Sequence, residues 1–480
     1  MTIRTYTPRV QVILTKNVGR SPADGASERY QGANQQIDLT PYLGDRGEVR
    51  VHKGIREPAG GFVITFGDRI RDDLADTLYG LVEPMDHVAI RMARDPAPEG
   101  ELPLVMRGWV SEVARPETMG ADGRPMRVVV VSGQDYGKIL QIIHLSFRVW
   151  MATGHDVLGT FRLQEATGME VALLPASSFM QQAVERIVNP QLDRLWLSSL
   201  HGGELGTMRM GTDASVLRGR ITPDSIAMYE GDLWGLLASV ADLPWNELFV
   251  EDRADGVYLV YRPLPYQDMA GQWIGDAQDP NVDDPEGMTV SAEDVKSLQL
   301  ARTDHHVANF YWVELARGAL YSHDLQRLEA MARGTVLDTG YPNDDPALYG
   351  VRELAVRSLQ THDANTGHPP DGQGRVYADN DLDWQRSRIE LLKLLNRDNV
   401  LWEEGSIVVK GSPRLKPGRY LTLRRGGLTA RYYVTAVDHQ LAPFRGYTTT
   451  CRVERGTGFL TRVREQRSPY WLEGRPGVYE

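Results

Sequence analysis

The residues best able to do chemistry are spread thinly along this chain. Gly133-Gln-Asp-Tyr-Gly137-Lys138-Ile139 has the glycines and lysine of a phosphate-cradling loop, but it is one residue short of G-x-x-x-x-G-K, and Ile139 stands where a hydroxyl would meet Mg²⁺. A turn leading from a strand into a helix accounts for it. His305 and His306 are adjacent, so on a strand they point to opposite faces and cannot readily ligate one metal. His144 with His155, and His362 with His368, are too loosely spaced to be more than surface histidines. The acidic run Asp279 to Glu286 lacks the alternating ligands of a calcium loop and reads as a solvated linker. H-E-x-x-H, C-x-x-C and G-x-S-x-G are all absent. No catalytic, cofactor-binding or metal-binding residue is therefore assigned, and no cofactor is expected.

Composition narrows the classes further. The chain has 480 residues, 41% hydrophobic and 24% charged, enough for two to four globular domains with sizeable cores. The single cysteine, Cys451, rules out an internal disulfide and reads as a small apolar residue in a strand. A formal net charge of −11 argues against a broad nucleic-acid-binding surface. The first residues carry no apolar signal-peptide core, and no run of 18 apolar residues occurs, so no membrane insertion is expected.

Hydrophobic periodicity gives the elements that must position any site. Period-two alternation predicts strands over 9–15, 48–52, 61–66, 88–92, 104–113 and 127–132, with a long hairpin loop around Asp122-Gly123. Helical spacing appears over 134–143, 179–188 and 231–242, followed by a hairpin through Asp255-Gly256. Helices are predicted over 319–333, 348–360 and 381–396, with turn-rich linkers at 276–287 and 362–374. Strands return over 406–409, 419–424, 430–437 and 447–453. Trp109, Trp234 and Trp384 fall inside periodic segments and read as core or interface, not as sugar-stacking platforms.

The two β-rich ends resemble each other. Pro84-Met-Asp-His-Val88-Ala-Ile90-Arg91 lies over Pro417-Gly-Arg-Tyr-Leu421-Thr-Leu423-Arg424 without a gap. Arg107-Gly-Trp109-Val110-Ser-Glu-Val113 then lies over Arg431-Tyr-Tyr433-Val434-Thr-Ala-Val437, and a third strand ends in Val131-Ser-Gly133 and Val453-Glu-Arg455. These matches suggest an internal duplication.

Three segments carry a family resemblance. Residues 411–455, with Gly411-Ser-Pro413-Arg-Leu415-Lys-Pro417-Gly418, Tyr433-Val434-Thr-Ala-Val437-Asp-His439 and Gly446-Tyr447-Thr448-Thr449, are similar to the C-terminal barrel of contractile-tail hub proteins. That family includes the phage late-control-D proteins and the N-terminal part of the VgrG spike proteins. Residues 104–140, through Gly108, Gly133, Asp135, Tyr136 and Gly137, resemble the end of its first barrel, and 384–409 also fit. His439 is read within this pattern as a packing or hydrogen-bonding residue.

The resemblance implies an α+β chain with two similar small antiparallel β-barrels, a mixed α/β insert domain and peripheral helices. The expected divisions are 1–140 for the N-terminal hub barrel and 141–290 for the insert. The second, discontinuous barrel takes 291–456 with a helical insertion at 317–399, and 457–480 is a C-terminal extension. The resemblance further implies a homotrimer in a bacteriophage contractile-tail baseplate, made in the host bacterial cytoplasm. There it would join the sixfold tail tube protein to the threefold tail spike protein, with tape-measure and baseplate wedge proteins as further neighbours. It would line part of the channel for viral genome ejection, without sequence-specific nucleic-acid binding. Some tail hubs carry a fused lysozyme, so a cell-wall hydrolase is the enzymatic alternative; it needs two carboxylates roughly 5–10 Å apart, and no Glu here sits in a recognisable lysozyme context. A receptor-binding tail protein is the third reading.

Overall fold

Alternation makes the first strands. In Glu48–Gly54 every second side chain, Val49, Val51 and Lys53, is buried, and in Gly61–Gly67 the buried row is Phe62, Ile64 and Phe66. The structure, a computed structural model, describes residues 8–16, 36–68, 77–94, 102–119, 123, 125–145, 174–195, 209–221, 229–315, 340–361 and 375–466; at 174 and 375–382 it describes the backbone alone. The N-terminal strands are β1 (Arg9–Thr15), β2 (Gln36–Asp38), β3 (Glu48–Gly54), β4 (Gly61–Gly67), β5 (His87–Ala93), β6 (Leu104–Ala114), β7 (Glu117–Met119) and β8 (Pro125–Asp135). They pair antiparallel around one apolar cluster that includes Val12, Val51, Ile64, Ile90, Met106 and Val131. The predicted helix at 134–143 is the short α1 (Gly137–Ile142), because β8 runs on to Asp135.

The middle of the chain mixes helices and short strands: β9 (His144–Leu145), β10 (Leu174–Pro175), α2 (Ala176–Ala183), α3 (Asn189–Leu195), β11 (Met210–Ala214), β12 (Arg220–Ile221), β13 (Gly231–Asp232), α4 (Leu233–Val240), β14 (Asn246–Asp252) and β15 (Val257–Pro263). A π-helical turn, Val184–Val188, joins α2 to α3. Asp232 caps α4 by accepting from Gly235 N at 2.6 Å, and Leu233, Leu236, Leu237 and Val240 form its buried stripe. That stripe packs with α1, α2 and one face of the β14–β15 hairpin in a second core.

The remainder runs β16 (Thr289–Ser291), β17 (Val295–Ala301), β18 (Phe310–Leu315), α5 (Pro346–Tyr349), β19 (Glu353–Ser358), β20 (Gln360–Thr361), α6 (Arg375–Asn396), β21 (Glu403–Lys410), β22 (Tyr420–Arg425), β23 (Leu428–Ala442), β24 (Gly446–Gly456) and α7 (Gly458–Glu465). Two expectations are corrected here. The predicted helix at 348–360 is strand β19, parallel to β18, with Leu354 and Val356 half-buried and Glu353, Ala355 and Arg357 exposed. Its Glu, Leu, Ala and Arg are good helix formers, but a partner strand some 40 residues away in sequence decides the state. Nor is 276–287 a free linker: Asn281 is buried, donating to Tyr420 O at 2.6 Å and accepting from Tyr420 N at 2.8 Å. The predicted helix at 319–333 and linker at 362–374 lie outside the described residues.

One sheet unites the two ends. Its order is β17-β21-β24-β23-β3-β4-β8-β6-β5-β1-β2, with β22 also on β23 and β16 on β22. Within it the order β3-β4-β8-β6-β5 recurs as β17-β21-β24-β23-β22, antiparallel throughout. The details recur too. Met85 and Gly418, each after a proline, have φ of 71° and 74°. Met85 N donates to Val110 O at 2.8 Å, as Gly418 N does to Val434 O. Val110 N donates to Asp86 O at 2.9 Å, as Val434 N does to Arg419 O. His87 faces Trp109 as Tyr420 faces Tyr433, and a bulge follows at Ser111 and at Thr435. The pairing corrects the third-strand alignment by two residues: Val131 faces Val113 and Cys451 faces Val437, so Val131 matches Cys451 and Gly133 matches Val453. Sequence matching slipped there because a shift of two keeps every side chain on its own face.

A Cβ built on Gly133 would lie 2.2 Å from Trp109 O and 2.4 Å from Phe62 Cζ, whereas one on neighbouring Gly61 would meet nothing nearer than 3.7 Å. Gly133→Ala should therefore cost about 1–3 kcal/mol through overpacking, and Gly61→Ala far less. Urea unfolding midpoints of the two variants check this, and equal midpoints would contradict it.

Candidate functional site

Lys53 breaks the apolar row of β3, and its burial is the starting point for the site. Its side chain is turned into the place where three parts of the chain meet: the N-terminal strands, the β14–β15 hairpin and the C-terminal strands. Lys53 Nζ donates to the Asp252 carboxylate, at the end of β14, and lies 3.4 Å from Asp135 Oδ2, at the end of β8. Asp252 also accepts from Arg107 N at 3.3 Å, and its carbonyl accepts from Lys416 Nζ at 3.1 Å. The Arg107 guanidinium donates to Arg253 O at 3.1 Å, clasping the hairpin turn.

The electrostatics follow from one ammonium serving two buried carboxylates. Burial pushes Asp135 up to about 6, with Lys53 opposing and Asp252 reinforcing the shift. Burial disfavours the Lys53 charge, but Asp252 and Asp135 outweigh it, leaving the lysine raised. Asp135 Oδ1 also accepts from Gly137 N at 2.9 Å, so the carboxylate caps the turn into α1.

A second set of ion pairs runs along the same hairpin. Glu247 takes the Tyr433 hydroxyl and Arg262 Nε, the latter at 3.0 Å, and Arg262 also donates to Gly418 O. Glu251 bridges Arg253 at 2.8 Å and Arg419 at 3.1 Å. Glu454 accepts from Arg56 at 2.6 Å and from the Tyr266 hydroxyl. Where the two ends of the chain pair directly, His52 on β3 lies opposite Asp438 on β23, with Nδ1 2.6 Å from its carboxylate and Nε2 2.8 Å from Glu57. Its hydrogen bond to Asp438, with Glu57 adding and burial opposing, holds His52 at about 9.

The residues singled out from the sequence fall around this junction in two groups. Gly108 and Asp135 face each other across β6 and β8, and a Cβ on Gly108 would sit 2.3 Å from Gln134 O. Gly133, Tyr136 and Gly137 complete that group; Tyr136 packs with Trp109 and His87, ring centroids 5.8 and 6.1 Å away. In the second group Pro413, Leu415, Pro417 and His439 share with Lys53 and Asp252 the lining of a cavity of about 30 Å³. Gly418 supplies the carbonyl that Arg262 takes, while Val434 and Val437 lie in the C-terminal core. His439 is buried, takes the Tyr447 hydroxyl at 2.9 Å and is pushed by burial down to about 4. Cys451 is buried in the C-terminal core beside Val437, and burial pushes its thiol up to about 12.

Lys53 and Asp252 were not singled out, and Arg107 and Lys416 stood only inside the matched segments, with no role assigned. Lys53 was legible as the third inward position after Val49 and Val51; Asp252 was not, because β14 is buried on both faces. Of the histidines weighed as ligands, His305 and His306 are exposed, with His306 3.6 Å from Glu404; His144 is exposed; His155, His362 and His368 lie outside the described residues. Among the described residues, no three His, Cys, Asp or Glu side chains gather as metal ligands, and no helix is long and apolar enough to cross a membrane. A cavity of about 600 Å³ is lined in part by Trp234, Tyr266, Trp402, Glu247 and Glu454. Both of those carboxylates are already engaged by arginine and tyrosine. The arrangement is suited to holding three bodies in register.

No family model matches the chain, and no curated protein matches it. Among solved structures it is similar to the tail protein from Neisseria meningitidis MC58, with 13% identity over 94% of this chain and 97% of that one and a TM-score of 0.46. It is also similar to the 43 kDa tail protein of prophage MuSo2 from Shewanella oneidensis, with 11% identity over 93% and 98% and a TM-score of 0.44. A chain of the phage P2 baseplate in its activated conformation matches with 10% identity over 93% and 99% and a TM-score of 0.29.

Two outcomes are expected of the junction. Lys53→Met leaves Asp135 and Asp252 buried without their cation and should cost about 3–5 kcal/mol, read from urea midpoints; the addition of Asp252→Asn should recover part of it, and a neutral Lys53→Met would show that the pair contributes nothing. The His52 contribution has the opposite sign to a carboxylate's. With a pKa of about 9 in the folded chain against 6.5 in its absence, it is fully present below about pH 6.5 and lost as the pH rises through 9. His52→Gln should therefore lower the unfolding midpoint at pH 7 and match the wild type by pH 10; a gap unchanged over that range would rule the ion pair out.

Proposed function

We propose that this chain is a structural component of a phage tail, the hub of a contractile-tail baseplate, and that it acts as a homotrimer. The observation that carries the reading is the five-strand order present twice in one chain, with the same turns, bulge and register. Three such chains hold six similar modules, which is what a joint between a sixfold tube and a threefold spike requires. The hub-like motifs at 104–140 and 411–455 support the same assignment, since they frame the junction around Lys53 and Asp252. On this reading each module is a small barrel of the ring, and the tube and spike proteins are the neighbours on its two faces, with tape-measure and wedge proteins further out. The role is mechanical: the hub holds tube and spike in line and opens a path when the spike leaves. A net charge of −11 suits a channel wall that repels DNA phosphate and lets it slide.

Light scattering on the purified protein, alone and mixed with the spike protein of the same tail, tests this. The expected result is a trimer alone or a three-to-three complex with the spike. A monomer under both conditions would overturn the ring, and the middle of the chain would then be assayed for peptidoglycan hydrolysis.

A further inference from the structure

The seam between the two halves of the chain is itself a template for a contact between chains. β23 does two things along one edge. Its first half, Leu428–Tyr433, pairs with β22; after the bulge at Thr435, Ala436–Leu441 pair with β3. The counterpart of β23 is the run β6–β7, a single ladder against β8 that keeps one register from Ala114 facing Val130 to Glu117 facing Arg127. Its first half pairs with β5, and its bulge falls at Ser111. Beyond the bulge, Glu112–Met119 have only β8 as a strand partner among the described residues. The counterpart of β3 is β17, which among the described residues pairs only with β21. Each half of the seam therefore exists a second time, with no strand on its matching edge among the described residues.

Burial marks those edges as unfinished. At the seam Val49, Val51 and Val437 are 0–1% exposed. Their counterparts Leu298, Leu300 and Val113 are only half-buried and pack at the margins of the C-terminal and N-terminal cores.

We propose that β17 of one chain pairs antiparallel with the far half of β6–β7 of a second copy, in the register that places Ala114 opposite Ala301. The register is transferred from Asp438 opposite His52, and it sets Arg115 against Leu300, Pro116 against Gln299 and Glu117 against Leu298. The one proline in the run fits. Ile55 N donates to Thr435 O at 3.0 Å, so the odd-numbered residues of β23 bond to β3, and Gln440 turns its backbone groups towards β24. Pro116 takes the place of Gln440, where the joint needs no N–H. The contact is head-to-tail, so it generates either a closed ring or a filament. Closure at three chains rests on the trimer reading above; the strand joint does not.

Ala114 and Ala301 would form a non-hydrogen-bonded pair with Cβ atoms about 4.5–5.5 Å apart, close enough for a disulfide after small adjustment. The test is Ala114→Cys with Ala301→Cys in one chain, oxidised at the concentration used for light scattering and run on a non-reducing gel. Cys451 is fully buried and can stay. Ala114→Cys with Ser297→Cys, displaced by four residues or about 13 Å along the strand, is the control. The expected result is a ladder ending at a covalent trimer for the first pair and monomer for the control. Mixing the two single variants, Ala114→Cys and Ala301→Cys, should give a dimer and nothing larger. A wild-type trimer without the cross-link overturns this joint and leaves the trimer standing, as does equal cross-linking by the displaced pair. A ladder running past three keeps the joint and overturns closure. A monomer with no cross-link overturns both.

Discussion

An ammonium group buried between separate parts of a chain is tolerable only if carboxylates reach it there, and that condition governs this structure. Lys53 comes from the N-terminal strands, Asp252 from the hairpin of the middle segment, and Lys416, from the C-terminal segment, reaches the backbone of Asp252. None of these groups is satisfied if its neighbour moves, because burial makes an unpaired charge far more costly than a broken surface contact. The β14–β15 hairpin is therefore clamped, and with it the relation between the two halves of the large sheet. The ion pairs of Glu247, Glu251 and Glu454 repeat the arrangement along the hairpin and across to β24. Opposite charges meet where backbone elements of different origin meet, beside an apolar cluster in which Ile55, Phe249, Leu392 and Tyr433 from those same elements pack together.

Much of this was legible in the sequence where strand alternation is strict. The strands β1, β3 to β6, β8 and β21 to β24 were legible because one face of each is apolar, and so was the hairpin through Asp255-Gly256; the three-residue β2 and β7 carry no such face and were not read as strands. The resemblance between the two ends was visible at Pro84 and Pro417, since a proline before a residue of positive φ fixes a turn by local chemistry alone. What failed did so for lack of a local signal. Residues 353–358 carry helix-forming side chains and become a strand because β18 lies beside them. The loop at 279–286 looks like solvated linker until Asn281 is seen to bond both backbone groups of Tyr420. At the junction, Asp135 was singled out as part of a motif, but its lysine was not. The Lys53–Asp252 pair joins residues nearly 200 positions apart, which no window of sequence can show.

The duplicated modules are alike in backbone and unlike in their buried polar residues. Asp135 at the end of β8 corresponds to Arg455 at the end of β24, and both are buried. Asp135 turns towards Lys53 and α1, whereas Arg455 reaches Leu395 O and Gln267 O and stacks between Tyr266 and Trp402. His87 and Trp109 correspond to Tyr420 and Tyr433, an aromatic pair kept in both modules with different polar tips. The shared backbone accounts for the common pairing order, and the exchanged side chains give each module its own neighbours.

The pairing of β3 with β23 also bears on how the chain is made. Its partners are 386 residues apart where His52 meets Asp438, so during synthesis β3 must wait for β23 with one edge unpaired. The nascent N-terminal strands can assemble around β4 and β8 in the meantime, but the exposed edge of a strand is a site for wrong pairing. Arg50, His52 and Lys53 along that strand are the kind of charged residues that discourage it. The ions that strap the finished seam would thus serve earlier as its guard, keeping the edge soluble until the last strands leave the ribosome.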